Sequence, residues 1–278
     1  MEDRLCAACG RFLGLLPECG CGPERLARAL SRFEIGPRAV ERAAQALPEH
    51  YELELRGVRL LISEYLDAFC GLFEEGAPRC EVSVPAPGFL ITALQAASGG
   101  SFRFLTGALI IQVVLRSFFR WGLPFGTGAA MQLHYCGLNR AREYLLSSEA
   151  APELLLQFGV LCDECLKCGE AAPPGTRVLS LALPKGEGPR LRELAAVQAE
   201  DFLARAGEAL GVQVTPSAWL RGLESYLALQ RLQSRLALLQ ARRDRLPPGG
   251  NAFALAQTAQ LAVFDRWEGL LASLRTYA

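Results

Sequence analysis

The sequence has no surplus of charge of either sign. Its 278 residues carry 29 lysine and arginine side chains against 29 aspartate and glutamate side chains, so the formal net charge at pH 7 is zero. A protein that binds nucleic acid electrostatically needs an excess of cations to neutralise phosphates, and a polybasic membrane-surface protein needs a run of them. The charge balance therefore argues against both classes of partner.

The chain also lacks an uninterrupted apolar run of membrane-spanning length. The longest such run, Phe104–Leu115, contains Gln112 and is closely flanked by arginines. About 20 apolar residues are needed to cross a bilayer, so this run predicts a buried helix or strand and no membrane span. The charged first four residues have no apolar stretch behind them, unlike a secretory signal. We therefore expect a cytoplasmic protein.

Several familiar catalytic motifs are missing. The sequence contains no G-x-S-x-G, H-E-x-x-H, Walker A or G-x-G-x-x-G pattern. It does contain ten cysteines, in a chain that is 51% hydrophobic and long enough to bury a core without disulfides. In a reducing compartment, that many cysteines point to metal or redox chemistry.

The first cysteine group lies near the N-terminus. Cys6 and Cys9 are separated by two residues, and Cys19 and Cys21 by one. Four thiolates close in sequence suit a tetrahedral zinc ion, with two turns of the chain facing it. We expect zinc here ahead of an iron–sulfur cluster. The alternative is that the four thiols are small buried apolar groups, because free cysteine packs well in cores.

The second cysteine group has the pattern C-x2-C-x2-C and comprises Cys162, Cys165 and Cys168. Thiolates at such spacings hold iron–sulfur clusters. Cys136 is a candidate for a fourth ligand because it stands just ahead of a predicted helix. The positive end of a helix stabilises a thiolate or the negative charge of a cluster.

Three further residues have weaker signals. Cys70 and Cys80 have no partner at a ligand spacing, and we expect them to be structural. His134 is a candidate metal ligand or acid–base group, but a lone histidine is more often a hydrogen-bonded structural residue.

The middle of the chain has the texture of an α/β protein. Two apolar runs of strand length, 153–161 and 177–183, bracket a short segment containing Ala-Ala-Pro-Pro-Gly. This pattern predicts a βαβ unit in a buried parallel sheet. The predicted fold is therefore α/β, with high helix content and helical regions on both sides of the sheet; a mostly α fold is the alternative. In open parallel sheets the chemistry lies at the carboxyl ends of strands, where Cys162 is expected.

The chain divides into three predicted regions. Residues 1–80 form an N-terminal helical region that contains cysteines, residues 81–189 the α/β domain, and residues 190–278 a C-terminal helical region. In the last region Gly211 predicts a helix stop, and Thr215-Pro216 predicts the start of a long helix that Pro247–Gly250 ends. We interpret the arginines of that helix as a solvated face, and its leucine stripe as core packing first and a partner surface second.

Two stretches resemble a known family. The first begins at Cys136 and continues as Gly-Leu-Asn-Arg-Ala-Arg-Glu-Tyr-Leu-Leu, and the second runs from Pro152 to Lys167 and contains the Cys-Asp pair at Cys162. Both stretches are similar to the 2-hydroxyacyl-CoA dehydratase and benzoyl-CoA reductase family. The resemblance covers about residues 130–278. It implies a [4Fe-4S] cluster, with Cys136 and Cys162 at two of the family's ligand positions. It also implies an ATP-dependent activator protein that donates a low-potential electron, and an acyl-CoA substrate.

The sequence departs from that family in two respects. The family continues into a second α/β domain that supplies a third cluster cysteine and much of the acyl-CoA pocket, whereas this sequence ends at Ala278. We therefore expect a truncated or diverged member, a homo- or hetero-oligomer in which Cys165, Cys168 or a partner chain supplies the missing ligand. The N-terminal cysteine group has no counterpart in the family pattern.

Two functional hypotheses follow. The first is an iron–sulfur protein that transfers low-potential electrons as a subunit of an acyl-CoA dehydratase or reductase. The alternative is a non-enzymatic, zinc-stabilised interaction module whose leucine-rich helices contact a partner. Iron and sulfide content separates the two.

Overall fold

Four parallel strands form one sheet at the centre of the molecule. The computed structural model describes residues 2–74, 76, 78–84, 86, 88–121, 136–159, 164–182, 184, 186, 188–241, 254–255 and 258. The strand order is β2-β1-β3-β4, and the strands are β1 (Arg79–Val82), β2 (Arg103–Leu105), β3 (Leu154–Phe158) and β4 (Arg177–Leu181). The predicted α/β class with high helix content is confirmed. β3 and β4 lie inside the two apolar runs that predicted them.

Helices cover both faces of the sheet. Pro23, Pro37 and Pro189 each stand at the start of a helix, where the missing proline N–H leaves no bond unmade. A π-helical turn, Val114–Phe118, and a 3₁₀ turn, Cys168–Ala171, complete the helical segments. The α-helices are α1 (Glu2–Leu13), α2 (Pro23–Ser31), α3 (Pro37–His50), α4 (Arg56–Gly71), α5 (Gly88–Ser98), α6 (Gly107–Val113), α7 (Gly137–Ser147), α8 (Glu164–Lys167), α9 (Pro189–Leu210) and α10 (Pro216–Ala241).

Side-chain alternation along the strands separates two hydrophobic cores. Successive residues of a strand point to opposite faces. Leu154, Leu156 and Phe158 of β3 therefore share one core with α5 and α9. Leu105 of β2 belongs to the other core, which is built from α1–α4, α6 and α7. The sheet is thus the middle layer: α5 and α9 pack on one face, and α1–α4, α6 and α7 form a larger helical layer on the other.

Two predicted helix boundaries in the C-terminal region, the end of α9 and the start of α10, are confirmed. Gly211 ends α9 with φ of 65°, a left-handed conformation that glycine adopts without penalty. The Thr215 hydroxyl accepts a hydrogen bond from the Ala218 N–H (3.2 Å) at the start of α10. The leucines of α10 divide between core and surface: Leu229 is buried and Leu220 is exposed. Pro247–Gly250, predicted to end this helix, lie outside the described residues.

The long apolar run is divided among three elements. Its first two residues close β2, and the remainder forms α6 and the start of the π-helical turn. The run is buried, as predicted. In the described part of the chain, no helix is long and apolar enough to cross a membrane. The division of the chain at residues 80 and 189 stays a prediction, although α9 packs directly on the sheet.

Candidate functional site

The carboxyl edge of the sheet has a topological switch point between β1 and β3. These two strands are hydrogen-bonded neighbours, yet their outgoing connections diverge. The segment after β1 forms α5, which packs with α9 on one face, whereas the 3₁₀ turn after β3 contacts α7 on the other. In open parallel sheets such a divergence leaves a crevice at the carboxyl ends of the strands, where ligands bind.

Cys136 is the N-cap residue of α7. The C-terminal half of α7 packs beside the start of α6, since Leu145 would lie only 2.9 Å from a Cβ on Gly107, whose N–H donates to Glu81 of β1. The helix precedes β3 in the chain. Cys136 is exposed, and its carbonyl accepts the Arg140 N–H (3.1 Å). The first N–H groups of α7 have no partner within the helix and favour negative charge.

The last residue of the second cysteine group begins a turn that contacts the same helix. The 3₁₀ turn that begins at Cys168 contacts α7, and Gly169 lies against the side chain of Gln157 on β3. Cys165 is in α8, immediately before that turn. The side chains of Cys165 and Cys168 are outside what the structure describes, and so is the whole of Cys162. The backbone thus places the turn that begins at Cys168 against α7, the helix whose N-cap is Cys136.

Two polar residues, the partly exposed Gln112 and the buried Ser83, lie near these elements, and the sequence analysis missed both as site residues. A Cβ on Gly137 would lie 2.8 Å from Gln112 Oε1, so the amide oxygen reaches the first turn of α7. The Ser83 hydroxyl, which is fully buried, accepts the Phe158 N–H (3.0 Å) and joins the ends of β1 and β3. The only sequence signal was a polar residue inside an apolar segment. His134, a predicted candidate, lies outside the described residues.

Glu81 is a third polar group that the sequence did not reveal. Its carboxylate accepts the Gly107 N–H (2.8 Å) and the Ala108 N–H (3.0 Å) at the start of α6. Burial raises the pKa of Glu81 to about 7, against the opposing effects of these N–H groups and the Arg142 guanidinium. The sheet therefore contains, on β1, a buried carboxyl group with a pKa of about 7.

The N-terminal cysteines form a separate group in the helical layer. Cys6 and Cys9 are one turn apart on α1; Cys9 is fully buried and Cys6 is partly exposed. Burial raises the pKa of Cys9 to about 12, and nearby Cys6 and Cys21 add to the rise. Burial, followed by the charge of Asp67, likewise raises the pKa of Cys19 to about 12. The thiol forms of these cysteines are therefore favoured in the metal-free protein.

Cys70 joins this group from a distant part of the sequence. Its Sγ lies 2.9 Å from Cys21 Sγ, although 49 residues separate the two positions. Both side chains are buried. Spacing along the chain could not identify Cys70, because α4 brings it to Cys21 only in the folded protein. The structural role predicted for Cys70 stays a prediction, and its buried position beside another thiol is new.

Neither predicted metal site has a formed coordination shell among the described residues. Across these residues no three histidine, cysteine, aspartate or glutamate side chains are arranged to hold a metal ion. Zinc at Cys6, Cys9, Cys19 and Cys21 stays a prediction. The [4Fe-4S] site also stays a prediction, since Cys162 is one of its proposed ligands and is outside the described chain.

Comparison with known proteins identifies no relative. No family model matches the chain, and no curated protein has a significant match to it. The similarity to the dehydratase and reductase family therefore rests on the short motifs around Cys136 and Cys162 alone.

Proposed function

We propose that this chain is an iron–sulfur protein that carries a [4Fe-4S] cluster at the carboxyl edge of its sheet. In this proposal the cluster serves low-potential electron transfer in acyl-CoA chemistry, as in the 2-hydroxyacyl-CoA dehydratase and benzoyl-CoA reductase family. The observation that carries the proposal is the position of Cys136. Cys136 is the N-cap residue of α7, the helix that precedes β3, and the turn beginning at Cys168 contacts the same helix.

The residues present suit such a group chemically. Cys136 is exposed, so its sulfur is available to an incoming metal, in contrast to the fully buried Cys80. Thiolates are the usual ligands of iron–sulfur clusters, and N–H groups near the sulfurs tune their potential. In this proposal the positive end of α7 fills that role. Cys162, Cys165 and Cys168 are the remaining proposed ligands, with a partner chain as a further source.

A bound cluster would supply one-electron transfer. The work of this chain's residues would be to hold the sulfur ligands, to offset negative charge with the N-terminus of α7, and to shield the site by packing the turn after β3 on that helix. The acyl-CoA substrate and the ATP-dependent activator protein belong to the proposal through the family resemblance. An oligomer that completes the site belongs to it for the same reason.

The test is the iron and acid-labile sulfide content of the protein purified without oxygen. We expect about four irons and four sulfides per chain, as for a [4Fe-4S] cluster, with broad visible absorption. The Cys136→Ser and Cys162→Ser variants should lose most of this iron. Cys80→Ala is the matched control, because Cys80 is buried in β1 away from the edge, and it should retain the iron.

Two results would contradict the proposal. Zinc without sulfide would favour the alternative, a zinc-stabilised interaction module. Full iron and sulfide in both serine variants would place any cluster elsewhere in the chain. Electron paramagnetic resonance of the dithionite-reduced protein adds a second readout, because a reduced low-potential cluster gives a signal that a zinc protein cannot give.

A further inference from the structure

Cys21 and Cys70 are in sulfur-to-sulfur contact in the core shared by α1–α4, α6 and α7. Their Sγ atoms are 2.9 Å apart. Cys70 is next to the last residue of α4, and Cys21 lies in the connection between α1 and α2. The contact therefore links two parts of the helical layer that are 49 residues apart in sequence.

The backbone around both sulfurs is already held in place. The Gly20 N–H donates to the Asp67 carboxylate (3.2 Å), which attaches the α1–α2 connection to α4 one residue before Cys21. The Arg25 guanidinium, at the start of α2, donates to Asp67 and Glu74 on or just after α4. Because independent hydrogen bonds position both chain segments, the contact does not depend on the two thiols alone.

The separation of the sulfurs favours a covalent pair over a shared metal. Two thiolates on one tetrahedral zinc, with Zn–S bonds of about 2.3 Å, stand about 3.8 Å apart. A disulfide has its sulfurs at about 2.05 Å. The observed 2.9 Å is shorter than the metal-bridged distance, and the described residues provide no third side chain placed to complete a metal site there.

We propose that Cys21 and Cys70 form a reversible disulfide that fastens the α1–α2 connection to α4. The oxidant is a small-molecule disulfide, RS–SR. Cys21, the less buried of the two at 4% exposed against 1%, attacks one sulfur as its thiolate and releases RSH. Cys70 then attacks the Cys21 sulfur of the mixed disulfide, forms the Cys21–Cys70 bond and releases a second RSH. The two cysteines lose two electrons, and RS–SR is reduced to two thiols.

The surroundings of the pair make this exchange slow and dependent on local opening. Both thiols are buried, with Cys21 4% and Cys70 1% exposed, so an oxidant has little access to them in the closed structure. Residues 14–22 have no helix or strand of their own, and their opening would expose Cys21 to the oxidant. The bond would therefore form and break on the timescale of that opening.

The test is thiol mapping of the full chain after equilibration in buffers of oxidised and reduced glutathione. Samples are kept at a urea concentration below the unfolding transition, so that local opening exposes the buried thiols to exchange. Free thiols are blocked with one mass label, and thiols released by reduction with a second. We expect a peptide pair joined through Cys21 and Cys70, with a mass lower by two hydrogen atoms and restored by dithiothreitol. Its fraction should follow the glutathione ratio.

Variants separate this proposal from an effect of burial. Cys21→Ala and Cys70→Ala should each abolish the linked peptide, whereas Cys80→Ala, which removes an equally buried thiol, should not. Closing a loop of this length should raise the melting temperature of the oxidised protein by at least about 5 °C. A linkage between other cysteines, a stoichiometric zinc ion that protects both thiols, or free thiols at every glutathione ratio would overturn the proposal. None of these readouts depends on iron, so the result is independent of the proposed function.

Discussion

The Glu81 carboxylate on β1 caps the first turn of α6 by accepting the Gly107 N–H at 2.8 Å. Its other oxygen accepts the Ala108 N–H at 3.0 Å. The first N–H groups of a helix have no partner inside the helix and carry its positive dipole end. A neighbouring strand thus supplies a cap that is usually local. The carboxyl group is fully enclosed, so its charge state bears directly on how strongly the helical layer is held to the sheet.

This arrangement predicts a pH dependence of folding. Burial raises the pKa of Glu81 from 4.5 to about 7, so the folded protein takes up a proton more readily than the unfolded chain. The associated stability is fully present below pH 4.5 and is lost as the pH rises to about 7. A shift of this size corresponds to about 3 kcal/mol. Urea unfolding between pH 4.5 and 8 should show this loss in the wild type, and Glu81→Gln should flatten it.

The matched control for this prediction is Glu193→Gln. Glu193 lies exposed on α9, so its replacement should leave the pH profile unchanged. An unaltered slope in Glu81→Gln would mean that another group causes the pH dependence.

Gly107→Ala should destabilise the protein by overpacking. A Cβ at this position would lie 2.7 Å from Glu81 Oε2 and 2.9 Å from carbon atoms of Leu145 and Leu72. Inserting a methyl group into a packed core costs about 1–3 kcal/mol, measurable by urea unfolding. Gly175→Ala is the control, because nothing lies within 4 Å of its Cβ position; it should change stability by less than about 0.5 kcal/mol. Equal effects of the two changes would refute the packing argument.

The Glu18–Arg59 ion pair should stabilise the attachment of the α1–α2 connection to α4. Arg59 donates from Nε and Nη2 to Glu18 (2.9 and 2.6 Å) and from Nη1 to the Leu53 carbonyl (2.6 Å). The Arg59 side chain is only 20% exposed and the Glu18 side chain only 17%. Charge-assisted bonds of this kind are stronger than surface pairs, so Glu18→Gln should cost about 1 kcal/mol at pH 7.

The pH dependence of this pair is opposite to that of Glu81. The hydrogen bond from Arg59 lowers the pKa of Glu18. Its contribution is therefore present above the ordinary carboxyl pKa and is lost as the pH falls through the lowered value. The difference between wild type and Glu18→Gln should shrink in acid. The more exposed Arg11–Glu41 pair provides a control, and Glu41→Gln should have an effect of about 0.5 kcal/mol or less. A larger effect at Glu41 would argue against the role given to burial.

Phe202→Ala should show that α9 belongs to the core of the sheet. Phe202 is fully buried, and its ring centroid is 5.3 Å from that of Phe158 on β3. Replacing a buried phenylalanine by alanine costs about 3–5 kcal/mol. Val197→Ala on the same helix should have little effect, because Val197 is 62% exposed. Equal, small losses for both variants would mean that α9 is not part of the cooperative fold.

Local sequence patterns determined several features of this protein. The apolar runs around 154–158 and 177–181 indicated β3 and β4, because strands enclosed in a parallel sheet are apolar on both faces. Gly211 and Thr215 marked where α9 ends and α10 begins, since these signals act through the chain's own backbone within a few residues. Cys136 was placed before a helix by the same kind of local reasoning, and α7 does begin there.

Only the tertiary structure decided which distant groups meet. The short strands β1 and β2 have too few residues for a periodic pattern, and their pairing gains its stability from neighbouring strands and helices. The Glu81 cap on α6 and the contact of Cys21 with Cys70 span 26 and 49 residues. Sequence spacing contains no information on such pairs, because hydrophobic packing of whole elements sets them. The sequence thus determined which chemistry-bearing residues the protein has and the local elements that carry them, whereas the packing of those elements decided which residues became neighbours.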